Sequence, residues 1–230
     1  IARFEKVCKG GYDSDVALLI DAEESWMQDA ADHLVEEMMI KYNKSKPIVF
    51  NTLQMYRWDR LEYLKKLHDK AKQEGFFIGA KLVRGAYMEK ENERAIEKGY
   101  PTPICASKEA TDQNYDASVK YMIDHIDSMS IFEGTHNEKS TYALMDLMKE
   151  KGIESTDNRI WFGQLYGMSD NISYNLANSG YNVAKYLPFG PVKDVMPYLI
   201  RRAEENTSVA GQTSRELGMI KAERNRRKGK

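Results

Sequence analysis

Two adjacent arginines in "PYLIRRAEENTSV" (197–209) are the residues whose types and spacing point most directly to chemistry. On a helix, Tyr198, Arg201 or Arg202, and Glu205 share one face at i, i+3/i+4 and i+7. Paired planar guanidiniums suit bidentate capture of a carboxylate better than lysines do. Glu205 could hold them in place or meet a cationic amine, and a small zwitterion such as an amino acid presents both charges. An exposed Arg201–Glu205 ion pair of the ordinary surface kind accounts for the same spacing.

Other stretches carry candidate groups of different kinds. "KLVRGAYMEKE" (81–91) places a cation, Lys81 or Arg84, at each end of a short apolar run, followed by Gly85. A glycine there supplies a positive φ or lets a ligand approach the backbone closely, or it merely makes an ordinary turn. "GTHNEKS" (134–140) presents Thr135 and His136 where a strand ends, with Thr135 or Asn137 as a helix cap. "FGQLYGMSDN" (162–171) offers Gln164 and Gly167, then Ser169 or Asp170 as a cap. In "DAEES" (21–25), Glu23 and Glu24 read as first-turn carboxylates that favour a helix dipole, which leaves Asp21 as the better functional candidate. A zinc site is not expected, since neither HxH nor HExxH occurs and the chain has four histidines. No GxGxxG is present, so a Rossmann-type nucleotide site is unsupported.

These groups need elements to position them. Apolar, β-branched runs predict strands at 16–21, 47–54, 78–83, 130–136, 160–165 and 183–187. Their near-continuous apolarity suits parallel strands buried on both faces. Helical periodicity runs through "WMQDAADHLVEEMMIKY", "WDRLEYLKKLHDKAKQEG" and "TYALMDLMKEKG", the last two closing on Gly75 and Gly152. Alternation of this kind predicts βα units around a parallel sheet. The predicted strands end in Asp21, Gln54, Arg84, Thr135 with His136, Gln164, and Tyr186. Polar groups closing strand after strand favour a (βα)8 TIM-type barrel over an open doubly wound sheet, which gathers its site at one switch point. Six strands are visible where a barrel needs eight, and "IARFEKVCKGG" reads as the end of a helix. We therefore expect the first two βα units to lie outside this chain. Residues 1–210 would form units three to eight of a single catalytic barrel, and 211–230 a C-terminal helix with a basic tail.

Composition narrows the class further. The 230 residues carry 34 Lys and Arg against 35 Asp and Glu, so the net charge of −1 gives no sign of nucleic-acid binding. Only the tail "KAERNRRKGK" is basic enough to touch an acidic surface. The two cysteines, Cys8 and Cys105, lack CxxC spacing and read as free thiols of a reducing compartment. No apolar run is long enough for a membrane span, so any membrane contact would be peripheral.

In order along the chain, "KLVRGAY", "THNE", "FGQLYGM", "KYLPFGPV" and "PYLIRRAEENTS" resemble the proline dehydrogenase family, and the resemblance spans essentially all 230 residues. It implies an FAD-dependent enzyme that oxidises L-proline to Δ1-pyrroline-5-carboxylate and passes electrons to a quinone. It implies that Arg201 and Arg202 hold the proline carboxylate with support from Glu205. Tyr186 and Tyr198 would pack around the pyrrolidine ring, with Leu165 lining the pocket. Asp21 and Lys81 would take the catalytic positions. FAD contacts would fall to Ala22, Gln54, Val83, Arg84, Gly85, Thr135, His136 and Gln164, with Lys81 and Arg84 stabilising negative charge on the reduced flavin. Where the family often has arginine, this chain has Lys81, which keeps the cation but not the planar fork. The family's substrate lysine on its first barrel strand has no counterpart among these residues. A cytoplasmic location follows, or one peripheral at the inner membrane face.

Two other readings stay open at the level of sequence. A barrel aldolase or lyase would use Lys81 or Lys185 as a Schiff-base nucleophile. An inactive binding or scaffold remnant would need neither flavin nor nucleophile.

Overall fold

Six parallel strands form one sheet in the order of the sequence: β1 (Leu18–Ile20), β2 (Val49–Gln54), β3 (Ile78–Val83), β4 (Met129–Gly134), β5 (Ile160–Leu165) and β6 (Val183–Tyr186). This computed structural model describes residues 1–208 and 210–229, and the side chains outside 204–216. The residues fall into two compact units, Ile1–Tyr186 and Leu187–Lys230. A doubly wound sheet reverses its strand order at a switch point. This one does not, so every crossover runs the same way. β1 and β6 are the two edges, and they do not pair with each other. A smaller closed barrel is thereby excluded.

Between the strands lie α2 (Ser25–Tyr42), α3 (Arg60–Glu74), α4 (Met88–Lys98), α5 (Lys108–Asp124), α6 (Glu138–Glu150) and α7 (Asp170–Asn178), with α1 (Ala2–Asp13) preceding β1. Right-handed crossovers in one direction put such helices on one face. Strand parity agrees. Val49, Leu53, Ile78, Ala80, Leu82, Met129, Ile131, Ile160 and Phe162 share one core with Val35, Met39, Leu64, Tyr115, Met122 and Leu144 of the helices. Residues of opposite parity, including Phe50, Phe132 and Trp161, stand on the inner face of the curled sheet, outside that core. Phe132 lies so close to β5 that a Cβ on Gly163 would fall 2.0 Å from its ring. Phe50, Phe132 and Trp161 line a groove of about 630 Å³ with Leu19 and Phe77 at the amino ends of the strands.

The strand boundaries are shorter than the apolar runs predict. Val16, Ala17, Asp21, Pro47, Ile48, Thr135, His136 and Leu187 lie outside the strands, although the Ile48 carbonyl and the Thr135 N–H still bond to Leu18 and Gly163. α3 ends at Gly75 as expected, with φ at +67° and its N–H returned to the Ala71 carbonyl. α6 stops at Glu150, and Gly152 takes the left-handed conformation one residue beyond the Lys151 cap. Asn137 is the working cap of that helix, its Oδ1 accepting from Lys139 N. One expectation fails: Glu23 and Glu24 precede α2 instead of filling its first turn, because the helix starts at Ser25. Their carboxylates reach sideways to Tyr87 and Lys90.

The second unit contains α8 (Val192–Ser208) and α9 (Ala210–Arg227). Pro197 sits inside α8, five residues after its start, where the missing donor forfeits one hydrogen bond of the ladder.

Candidate active site

The parity of a strand decides which of its residues look inward, and the register decides which look inward together. Thr52 pairs with Lys81, Lys81 with Phe132, Gln54 with Val83, and Leu165 with Tyr186. Thr52, Gln54, Lys81, Val83, Gly134, Leu165 and Tyr186 therefore stand on the inner face toward the carboxyl ends of five adjacent strands. Asp21 follows β1 at the same end. Its carboxylate is the hub: Lys81 Nζ lies 2.8 Å from Oδ1 and 3.2 Å from Oδ2, and the Thr52 hydroxyl donates to Oδ1 at 2.6 Å. Asp21 is exposed while the lysine stem is mostly buried, so the pair meets incoming solute from one side only. Beside it, Gln54 Nε2 donates to the Ala22 carbonyl at 2.5 Å and ties the residue after Asp21 to β2.

The loop carrying Asp21 is held down from α4. Glu91 is fully buried and accepts from both the backbone N–H (2.6 Å) and the hydroxyl (2.5 Å) of Ser25. It supplies the first turn of α2 with the acceptor that α2's own cap does not provide. Tyr87 donates to Glu23 at 2.7 Å, and Arg94 stacks on Trp26 at 4.2 Å. Gly85, at φ +123°, has no room for a side chain, since a Cβ would lie 2.6 Å from the buried Tyr56 ring. Burial pushes the Tyr56 phenol up, away from ionisation.

Arg84 follows Val83 and turns the other way. Its Nε donates to Asp112 Oδ1 at 2.6 Å, Nη1 to Thr135 Oγ1 at 3.0 Å and Nη2 to Ser140 Oγ at 2.9 Å. Its guanidinium carbon lies 4.2 Å from the centre of the Tyr115 ring. The side chain ties the ends of β3 and β4 to α5 and α6. Asp112 is held below its usual range by Lys108 and Arg84 acting against its desolvation. Gln164 is likewise committed: it is buried, accepts from Ser173 Oγ at 2.8 Å and donates to the Thr135 carbonyl at 3.4 Å. His136 Nδ1 lies 3.0 Å from Ser169 Oγ, so Ser169 bridges two loops and caps no helix through its side chain.

Of the residues the sequence singled out, Asp21, Ala22, Gln54, Lys81, Val83, Leu165 and Tyr186 meet at one end of the sheet's inner face. Arg84, Thr135 and His136 border that end as a linked pair of loops, with Gln164 beneath them. In the second unit, the Arg202 guanidinium lies 5.4 Å from the Tyr198 ring, one turn earlier on α8, and Arg201 is half-buried beside it. The side chain of Glu205 lies outside the described residues. Thr52 and Glu91 escaped the sequence reading. Thr52 was within reach of it, two residues before Gln54 on the same face of the same strand. No local pattern marks Glu91, whose partner is 66 residues away.

Lys185 cannot serve as the alternative nucleophile in this arrangement. Its parity turns it toward the helices, where Nζ donates to the Met168 carbonyl at 2.7 Å and pairs with Asp170 at 2.8 Å.

Six parallel strands in sequence order, with polar groups gathered at their carboxyl ends, define a half-barrel of the α/β class. The chain belongs to the proline dehydrogenase family, whose model matches residues 2–215. It is 40% identical to "Proline dehydrogenase 1, mitochondrial" of Drosophila melanogaster, covering 99% of this chain and 35% of that protein. To the protein of the same name from Homo sapiens it is also 40% identical, covering 96% of this chain and 37% of the relative. The chain thus spans little more than a third of the length of these relatives. Among solved structures, proline utilization A from Bdellovibrio bacteriovorus, inactivated by N-propargylglycine, superposes with a TM-score of 0.83 at 27% identity. That match covers 91% of this chain and 22% of the other.

Proposed function

We propose that this chain carries out FAD-dependent oxidation of L-proline to Δ1-pyrroline-5-carboxylate, with electrons passed on to a quinone, as the first step of proline catabolism. The observation that carries the reading is the Asp21–Lys81 pair on the inner face of the sheet, surrounded by the groups the family motifs single out. The donors fit a flavin dinucleotide in kind. Amide, hydroxyl, imidazole and cationic groups stand at the ends of neighbouring strands, and Gly85 bares the backbone between them. When bound, the flavin supplies the acceptor for a hydride leaving the ring carbon next to the proline nitrogen.

The chain's own residues do the rest. Arg201 and Arg202 grip the carboxylate and, with Tyr198 and Tyr186 against the ring, fix which hydrogen is presented. Oxidation requires the neutral amine, so the bound zwitterion must lose a proton. The exposed carboxylate of Asp21 is the group placed to receive it, and Lys81 holds that carboxylate in position. Lys81 also sets a positive charge beside the electron acceptor.

The fold is completed, in this proposal, as a (βα)8 barrel in which β1 to β6 are strands three to eight. Two further units would lie between the bare edges of β1 and β6. The quinone brings the working enzyme to a membrane. No described helix is long and apolar enough to cross one. The exposed Arg224, Arg226, Arg227 and Lys228 at the end of α9 would make a peripheral contact from the cytoplasmic side. Sedimentation with anionic vesicles tests that contact.

The visible spectrum of the purified protein tests the central reading. A flavin spectrum that bleaches on adding L-proline is the expected result. A protein without flavin that is trapped by borohydride on a carbonyl substrate would replace it with the lyase reading, and a protein that does neither would leave a binding role.

A further inference from the structure

A carboxylic acid without a hydrogen-bond partner is buried beneath Arg84. Glu133 sits on β4 between Phe132 and Gly134, at the parity that faces the helices, with no exposed surface. No hydrogen bond of ordinary geometry reaches either carboxyl oxygen or the nearby Thr141 hydroxyl, although that hydroxyl lies close enough to favour the ionised form. The charged and titratable groups around it are Arg84 from the end of β3 and Tyr115 and Asp116 from α5. Arg84 is already engaged with Asp112, Thr135 and Ser140, and Ser140 in turn donates to Asp116 at 2.7 Å.

Counting charges shows why this matters. Asp112 pairs directly with Arg84, Asp116 is linked to it only through the Ser140 hydroxyl, and Lys108 adds a second cation only at the exposed edge of Asp112. Both cations are engaged by Asp112, which leaves Glu133 with no ion-pair partner of its own. An ionised carboxylate buried without partners is strongly unfavourable, so the acid keeps its proton. Burial raises its pKa to about 8, with Arg84 and Thr141 opposing the rise. Once ionised, Glu133 would compete for the guanidinium it faces. The bonds easiest to give up are those to the neutral hydroxyls of Thr135 and Ser140 rather than that to Asp112. Thr135 Oγ1 also accepts from Asn137 N at 3.1 Å, so it holds the turn that carries His136.

We propose that Glu133 is a positioning residue for Arg84: protonated, it leaves Arg84 on Thr135, and ionised, it withdraws Arg84 and loosens the Thr135–Asn137 turn. The consequence rests on the flavin reading above, which puts Arg84, Thr135 and His136 against the anionic cofactor. The grip on that cofactor then weakens as Glu133 loses its proton.

The experiment compares the intact protein with Glu133→Gln, the neutral isostere, from about pH 6 to about pH 9, across the value of about 8. Two quantities are followed: the dissociation constant for added FAD, and amide exchange of residues 135–137 corrected for intrinsic chemical exchange. In the wild type, FAD affinity falls roughly tenfold or more over this range, the cost of one charge-assisted bond. Exchange at the turn quickens over the same range, and both changes are absent in Glu133→Gln. Parallel profiles in the two proteins overturn the proposal. If the protein takes up no FAD, the flavin reading falls, and the exchange contrast alone decides for or against Glu133. Should the variant fail to fold, the infrared carbonyl stretch of a protonated carboxyl in the wild type decides. A band that disappears near pH 8 sustains the proposal, and its absence at pH 6 overturns it.

Discussion

Lys81 Nζ lies within 3.2 Å of both carboxylate oxygens of Asp21, across two strands and 60 residues of sequence. The Thr52 hydroxyl on the intervening strand fixes one of those oxygens. Two neighbouring strands thus contribute one group each to a carboxylate that follows a third. Asp21→Asn keeps the shape and removes the charge that holds Lys81. Turnover of proline should fall by roughly one to two decades, the range for a hydrogen bond to a charged group of about 1.5–3 kcal/mol. Flavin content should stay at the wild-type level, and Asp21→Glu should recover part of the loss. Steady-state kinetics beside the flavin absorbance ratio check this.

For the arginines of α8, Arg201→Met or Arg202→Met should raise the KM for proline by roughly one to two decades with little change in bound flavin. Tyr198→Phe should act differently. It keeps the ring that faces Arg202 at 5.4 Å, so it should leave flavin content and most of the substrate affinity intact. A KM near wild type in both arginine variants would return the pair to a structural role.

Gly85→Ala tests the β3–α4 turn. A φ of +123° is strained for any residue with a side chain, and the new Cβ would press on the Tyr56 ring at 2.6 Å. Urea denaturation should show a loss of about 1–3 kcal/mol. Gly75→Ala is the control: φ is also positive there but nothing lies within 4 Å of the added carbon, so its loss should be the smaller one.

Glu133 gives a pH dependence of stability with a definite sign. Its pKa rises from 4.5 to about 8 on folding, so between those values the native state holds a proton that the unfolded state has released. Stability is full below the lower value and is lost as pH climbs through the upper one. The total is on the order of several kcal/mol. Glu133→Gln should lack this decline and become the more stable protein at alkaline pH. Urea midpoints near pH 5 and above pH 8 make the comparison.

The order of the strands and the carboxyl ends of three of them were legible in the sequence, because parallel strands buried on both faces leave continuous apolar runs that polar residues terminate. β2, β3 and β5 end where those runs end. The family motifs were legible for a related reason, since each is a short local string at such an end. Side-chain direction was not read from those strings. Lys81 and Arg84 looked equivalent there, yet they stand at opposite parity with Leu82 and Val83 between them, so one faces Asp21 across the inner surface and the other is captured by α5 and α6. The first turn of α2 was misjudged because its acceptor is Glu91 on another helix. The isolation of Glu133 was invisible altogether, since a glutamate before "GTHN" looks like any surface carboxylate until Tyr115 and Thr141 close over it. Local sequence decides where a strand can run and stop, because hydrophobic burial and backbone hydrogen bonding act residue by residue. Which charges find partners is decided only when distant elements pack, because desolvation and Coulomb energies depend on every neighbour at once.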